Sequence, residues 1–417
     1  MEKKFLNFAI FGKENSGKCS LNEAINLYIK NLTHLKDFTY NNTKYHLFPI
    51  PCCGQDLKDN FDISIKNSDF ILITIDSTTI DNIKQDQEYY SHLILLSIIN
   101  GINKIIFVLT KTTEKETKSL EQDIQKLKSF INDIYNLIQN KFNENGGVAF
   151  SYVAVDSLEG EGIEELLKQF PTYKDIITNN NNFVLFGLYD KYQDKERDEF
   201  VMTCKVSNVG SINYNIAIDE TKLFLYYMDD KKFELNCIKN LIPFKLSLAN
   251  GEYVSKMENL DNQFISFKFR LNSVEENYQN NPLKNCFLSL EEKNNNICFF
   301  DTFEGDIFIS AKYNDDILKD KAYTIITKGC KCIFSSYNYM GECTIASVVG
   351  EYENSKELVK KKIINCKNGI CAKVVINLSN PILSTKYEIC HKFGSFCLLK
   401  EGEIFAIGKI IKYKPKK

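Results

Sequence analysis

The densest chemistry in the chain lies near its start. Gly12-Lys13-Glu14-Asn15-Ser16-Gly17-Lys18-Cys19 fits the pattern G-x-x-x-x-G-K-[ST] at every place but the last. Such a loop binds phosphate because its glycines let backbone N–H groups converge on the oxygens. A lysine at position 18 would sit between the β- and γ-phosphates, and a following helix N-terminus adds a favourable dipole. Gly12, Asn15, Ser16, Gly17, Lys18 and Cys19 are therefore the expected phosphate-binding residues. Cys19 is the weak point. A hydroxyl there would ligate Mg²⁺, and a thiol is a poor ligand for so hard an ion.

The loop needs a strand before it and a helix after it, and the pattern of apolar residues supplies both. Residues 5–11 read as a buried strand and 21–32 as a helix. Further strands are expected at 44–50, 70–75, 104–109 and 148–155, with helices at 86–100, 118–142 and 162–170. Strand and helix in alternation predict an α/β domain, a parallel sheet with helices on both faces. Asn179–Asn182 reads as a linker. Beyond it the pattern turns all-β, with short strands at 200–206, 222–227, 264–269, 307–311, 345–349, 374–378 and 404–411. This length of β-structure predicts two barrels meeting near Asn294–Asn296. The expected domains are residues 1–178, 183–296 and 297–417. No internal repeat is evident.

Three more segments follow expected strands at the places where P-loop GTPases carry their other motifs. Pro51-Cys52-Cys53-Gly54-Gln55 stands where D-x-x-G is usual. Gly54 is kept for the γ-phosphate, Pro51 replaces the Asp that holds a magnesium-bound water, and Gln55 occupies the water-orienting position. Gln55 is the one catalytic candidate. Thr110-Lys111-Thr112-Thr113 stands where N-K-x-D reads guanine. Lys111 can flank the base, but Thr113 lacks the carboxylate that accepts two guanine N–H bonds. Asp156 replaces the small residue whose N–H would meet the guanine oxygen. Only residues 20–53 separate Cys19 from Gly54, and Thr33, Thr39 and Thr43 are unmarked candidates for a switch threonine.

The order of these segments, followed by two barrels, resembles the translational GTPases. Three stretches are similar to the GTP-binding subunit of the eukaryotic peptide chain release factor. These are Tyr189–Asp194 (YDKYQD), Val201–Ile212 (VMTCKVSNVGSI) and Gly394–Lys412, with Glu401-Gly402 and Ala406–Lys409 as the most specific matches. The resemblance implies a termination factor that binds GTP or GDP with Mg²⁺ and works on the ribosome. It implies partnership with the class-I release factor through the two barrels, the Gly394–Lys400 segment included. Two arginines of the family segment are Ser395 and Leu399 here, so contact there must be weakened or rebuilt. The family's long N-terminal extension is expected to be absent. Cys19, Pro51, Thr113 and Asp156 each remove a family contact, so nucleotide binding and hydrolysis are expected to be weak or lost: a pseudo-GTPase. A still-active divergent GTPase, and a rescue- or elongation-type factor, are the alternatives.

Composition bounds other readings. The 417 residues are 44% hydrophobic and 25% charged, ordinary for globular protein. A formal net charge of -2 gives no bulk attraction to polyanions, so no DNA partner is expected. The basic run Lys412–Lys417 reads as a solvated tail. Fourteen cysteines without a CxxC pair, and four histidines, predict no metal site and reduced, mostly buried thiols. Neither a signal-peptide core nor an apolar run of about 18 residues occurs, so a cytoplasmic protein without membrane segments is expected.

Overall fold

The computed structural model describes residues 5–28, 37–40, 43–47, 64–113, 115–142, 147–172, 183–209, 216–229, 234–248, 253–257, 264–271, 274, 286–289, 298–309, 325–337, 339–353, 357–360, 363–365, 370–400 and 403–414. The first sheet uses β1 (Phe5–Gly12), β2 (Asp37–Tyr40), β3 (Thr43–Leu47), β4 (Phe70–Asp76), β5 (Lys104–Thr110) and β6 (Ala149–Ala154). Their order is β2-β3-β1-β4-β5-β6, and only β2 runs antiparallel to its neighbour.

Alternation along the strands explains the layers. Leu6, Phe8 and Ile10 of β1, with Phe70 and Leu72 of β4 and Ile106 and Val108 of β5, face one cluster. That side is covered by helix α1 (Lys18–Tyr28) and by a short helix at Ile163–Lys168. Ala9, Phe11, Ile71, Ile73, Ile105 and Phe107 face the other side, under the helices Gln87–Ile99 and Thr117–Phe142. A strand buried on both faces must read as a continuous apolar run, which is how β4 and β5 read. A 3₁₀ segment at Ser77–Asp86 precedes the helix that the sequence places from Asp86. Strand β2 is an element the sequence reading lacks. It pairs Tyr40 with Thr43 and Thr39 with Lys44, so two switch candidates lie in an edge hairpin. Thr33 lies outside the described residues, as do Asn179–Asn182 and Asn294–Asn296.

Two antiparallel units follow. Eight strands between Phe183 and Ser289 form a sheet whose two ends, at Ile238 and Val254, pack into one apolar cluster. The third unit closes into a six-stranded barrel, because Lys331–Ser336 pairs with both Ser395–Lys400 and Tyr339–Glu353. Gly408 is forced by packing here: a Cβ would lie 2.4 Å from Cζ of Phe396.

The barrel packs on the first domain. Phe308, Cys371, Tyr387, Cys397, Leu399 and Ile407 share a core with the helices Gln87–Ile99 and Thr117–Phe142. Polar groups pin this contact. Ser395 Oγ donates to Asn100 Oδ1 at 2.8 Å, and Lys66 Nζ donates to the Ser395 carbonyl at 3.3 Å. Gly394 through Leu399 are buried and only Lys400 of that stretch is exposed. Most of Gly394–Lys400, the segment through which the resemblance implies partner contact, is thus buried in the barrel and against the chain's own first domain.

Candidate functional site

The phosphate-type loop lies at the C-terminal end of β1, where α/β sheets generally bind ligands. Its shape is set by close approach. A Cβ on Gly12 would fall 2.2 Å from Thr74 Oγ1 and 2.4 Å from Ser16 Oγ. Gly17 has φ +81° and lies against Thr110, so both its conformation and its space favour glycine. Ser16 Oγ and Thr74 Oγ1 are 2.7 Å apart, and Thr74 Oγ1 donates to the Phe11 carbonyl at 3.1 Å. Lys18 is buried, and its ammonium donates to the carbonyls of Gly12 at 3.0 Å and Lys13 at 2.6 Å. Lys13 itself pairs with Asp86. Asn15 (φ +59°) is exposed, and Cys19 is exposed in the first turn of α1.

Thr110 ties the loop to the next strand, with Oγ1 2.9 Å from the Ser16 carbonyl and 3.2 Å from that of Ile75. Sequence reasoning passed over Thr74 and Thr110, although Thr110 opens the segment in which Lys111 and Thr113 were weighed. Lys111 has φ +56° and pairs with Asp76 at 2.5 Å, while its carbonyl accepts from Ser77 Oγ at 2.7 Å. Burial pushes the Asp76 carboxyl up, and the Lys111 ammonium and the Thr78 donors override it, leaving the group below the ordinary carboxylate range. A depressed folded value means the stabilisation is complete above about pH 3.9, the unfolded value, and is lost as pH falls through the folded one. Denaturation midpoints measured between about pH 5 and 2 should therefore fall less steeply in Asp76→Asn than in the parent chain.

Asp156 sits at the end of β6 in the turn Asp156–Glu161, whose two ends form a β-bridge. Its Oδ1 accepts from the N–H groups of Leu158 at 2.9 Å and Glu159 at 3.1 Å. Burial raises its carboxyl, and bonds from the Thr113 hydroxyl and these two amides more than reverse that. Thr113 and Asp156, distant in sequence, thus meet across the ends of β5 and β6. Gly162 (φ +79°) allows the turn to close, since a Cβ would lie 2.2 Å from the Ala154 carbonyl. Gly54 and Gln55 lie outside the described residues.

The donor set fits one part of a guanine nucleotide and not the others. The loop amides and Lys18 suit phosphate. At the corner where the resemblance places base recognition, the carboxylate of Asp156 is bonded internally. A thiol takes the place of the metal-binding hydroxyl, and among the described residues no cluster of three or more His, Cys, Asp or Glu could hold a metal ion.

This arrangement, a parallel α/β domain followed by two β units, matches the architecture of solved translational GTPases. Residues 318–411 match the family described as GTP-eEF1A C-terminal domain-like. Among solved structures, the chain is similar to translation elongation factor SelB from Methanococcus maripaludis in complex with the GTP analogue GppNHp. The TM-score is 0.67 at 17% identity, over 100% of this chain and 80% of that one. Its apo form gives 0.65 at 16% with the same coverage. A bacterial selenocysteine-specific elongation factor, EF-Sec, gives 0.61 at 13%, covering 99% of this chain and 59% of that one. No curated protein matches the chain by sequence. Among the described residues no helix is long and apolar enough to cross a membrane.

Proposed function

We propose that this chain acts on the ribosome in translation termination, as the GTPase-like partner of the class-I release factor, with GTP binding and hydrolysis weak or lost. The observation that carries the pseudo-GTPase part is the Thr113–Asp156 contact, which occupies the corner where a guanine would be read. The termination part rests on the resemblance of Tyr189–Asp194 and Ala406–Lys409 to the release-factor subunit. Because Gly394–Leu399 are buried, we assign partner contact to other, exposed faces of the two β units, among them the face of the first that carries Tyr192 (52% exposed) and Tyr253 (57%). The tagged chain should retain the class-I release factor in a pull-down and leave behind its ribosome-rescue paralogue. Retention of the paralogue alone, or of aminoacyl-tRNA alone, would move the chain to a rescue or elongation role.

A second reading is favoured by the retained residues Gly17, Lys18, Gly54 and Gln55: a divergent but working GTPase. Ribosome-stimulated phosphate release that disappears in Lys18→Ala would establish it.

A further inference from the structure

The third unit contains a feature that nucleotide chemistry does not use. Lys331–Ser336 and Tyr339–Glu353 form the hairpin that closes the barrel, and Cys332 stands directly opposite Cys343 in its register. Their sulfurs are 3.3 Å apart and both side chains are buried. Directly opposed strand residues hold their Cβ atoms about 4.5–5.5 Å apart, close to the roughly 3.5–4.5 Å a disulfide spans. A small adjustment of two side chains would therefore complete the bond.

The local chemistry gives the pair a nucleophile. The hydrogen bond from the Cys343 thiol pulls the Cys332 thiol below its ordinary range against the effect of burial, and the Lys400 ammonium assists. The same bond, with burial, holds the Cys343 proton firmly. Cys332 is thus the sulfur of the pair that gives up its proton more readily. Cys330 lies two residues earlier, half-buried, at the edge of the same core.

We propose that Cys332 and Cys343 form a reversible disulfide, made by exchange with a small-molecule disulfide such as oxidised glutathione, which staples the hairpin that closes the barrel. The Cys332 thiolate attacks one sulfur of the reagent, whose S–S bond breaks and releases one glutathione thiolate, which takes up a proton. Cys343 then gives up its proton and attacks the Cys332 sulfur of the mixed disulfide, expelling the second glutathione as a thiol. Two protein thiols are oxidised and one reagent disulfide is reduced to two thiols.

Trypsin cleavage makes the assignment clean, because peptide 332–356 carries Cys332 and Cys343 while Cys330 falls on peptide 329–331. The folded, full-length chain is incubated with oxidised glutathione, alkylated with iodoacetamide, digested and weighed. Peptide 332–356 should come out about 2 Da lighter than its reduced form and take no alkyl group, and dithiothreitol should restore both alkylation sites. The cross-link should persist in Cys330→Ser and vanish in Cys343→Ser. Two alkyl groups on that peptide after treatment, or glutathione adducts with no cross-link, overturn the proposal. So does a cross-link that forms only in urea, since that would come from the unfolded chain.

Discussion

Replacing Cys19 by Thr, Thr113 by Asp and Asp156 by Ser together is expected to raise affinity for GTP with Mg²⁺ by roughly 1,000-fold or more. The parent chain should show no saturation with a fluorescent GTP analogue up to about 100 μM, and the triple variant should saturate in the low micromolar range. The reasoning starts from what the site keeps. The Lys18 ammonium stays at the loop, held by the carbonyls of Gly12 and Lys13, and would turn to a bound phosphate. What the site lacks is a hydroxyl for the metal and a carboxylate on the β5 loop for the base. A hydrogen bond to a charged group is worth about 1.5–3 kcal/mol, and each 1.4 kcal/mol is tenfold in binding.

The contact between Thr113 and Asp156 sharpens this expectation. Thr113→Asp alone would bring a second carboxylate onto one already held ionised, and like charges at that distance repel. That single change should gain little or lose affinity, whereas the double change with Asp156→Ser should gain strongly. Such non-additivity is the mark of residues in contact. Tight binding by the parent chain, or additive effects of the two single changes, would sink the account of this corner.

Asp69→Ala should cost about 3–5 kcal/mol of stability, read from chemical denaturation. Asp69 immediately precedes β4 and is buried. Its Oδ2 accepts from the backbone N–H of Asn7 at 2.8 Å and from Asn7 Nδ2 at 2.9 Å. Its Oδ1 stands 4.0 Å from the Lys392 ammonium of the third unit. The carboxylate therefore serves β1 and the inter-domain contact together. Removing it strands two buried donors and leaves a neighbouring positive charge uncompensated, which costs more than the carboxylate's own net contribution. Asp69→Asn keeps an acceptor oxygen and should recover part of the loss. The exposed pair Lys126–Asp81, at 2.6 Å, is the contrasting case. Water screens it and its side chains are unconfined, so breaking it should leave the midpoint unchanged. A change below about 1 kcal/mol in Asp69→Ala would mean that water or rearrangement serves those donors.

Much of the architecture was legible from residues alone, and for a local reason. β4 and β5 are covered on both faces, so they read as unbroken apolar runs in any context. The loop Gly12–Cys19 was legible because its glycines answer to steric demands within a few residues, as the crowding around Gly12 illustrates. The match at Ala406–Lys409 has a similar origin. Gly408 must lack a side chain to admit Phe396, so part of that likeness reports barrel packing rather than any partner. Strand β2 was missed because its four residues, Asp37–Tyr40, sit at a sheet edge and need no apolar pattern.

By itself, then, the sequence determined the strand–loop–helix around Gly12–Cys19, the layered first domain and the β-rich remainder, because period and turn chemistry are properties of neighbouring residues. The tertiary structure alone decided three things. It brought Thr113 to Asp156, since that meeting depends on where two separate strands end. It tied the loop to β5 through Thr110, a residue unremarkable until its neighbours are known. And it buried Gly394–Leu399 against the first domain, because the same apolar strand can cover its own chain or a partner, and only the assembled packing chooses between them.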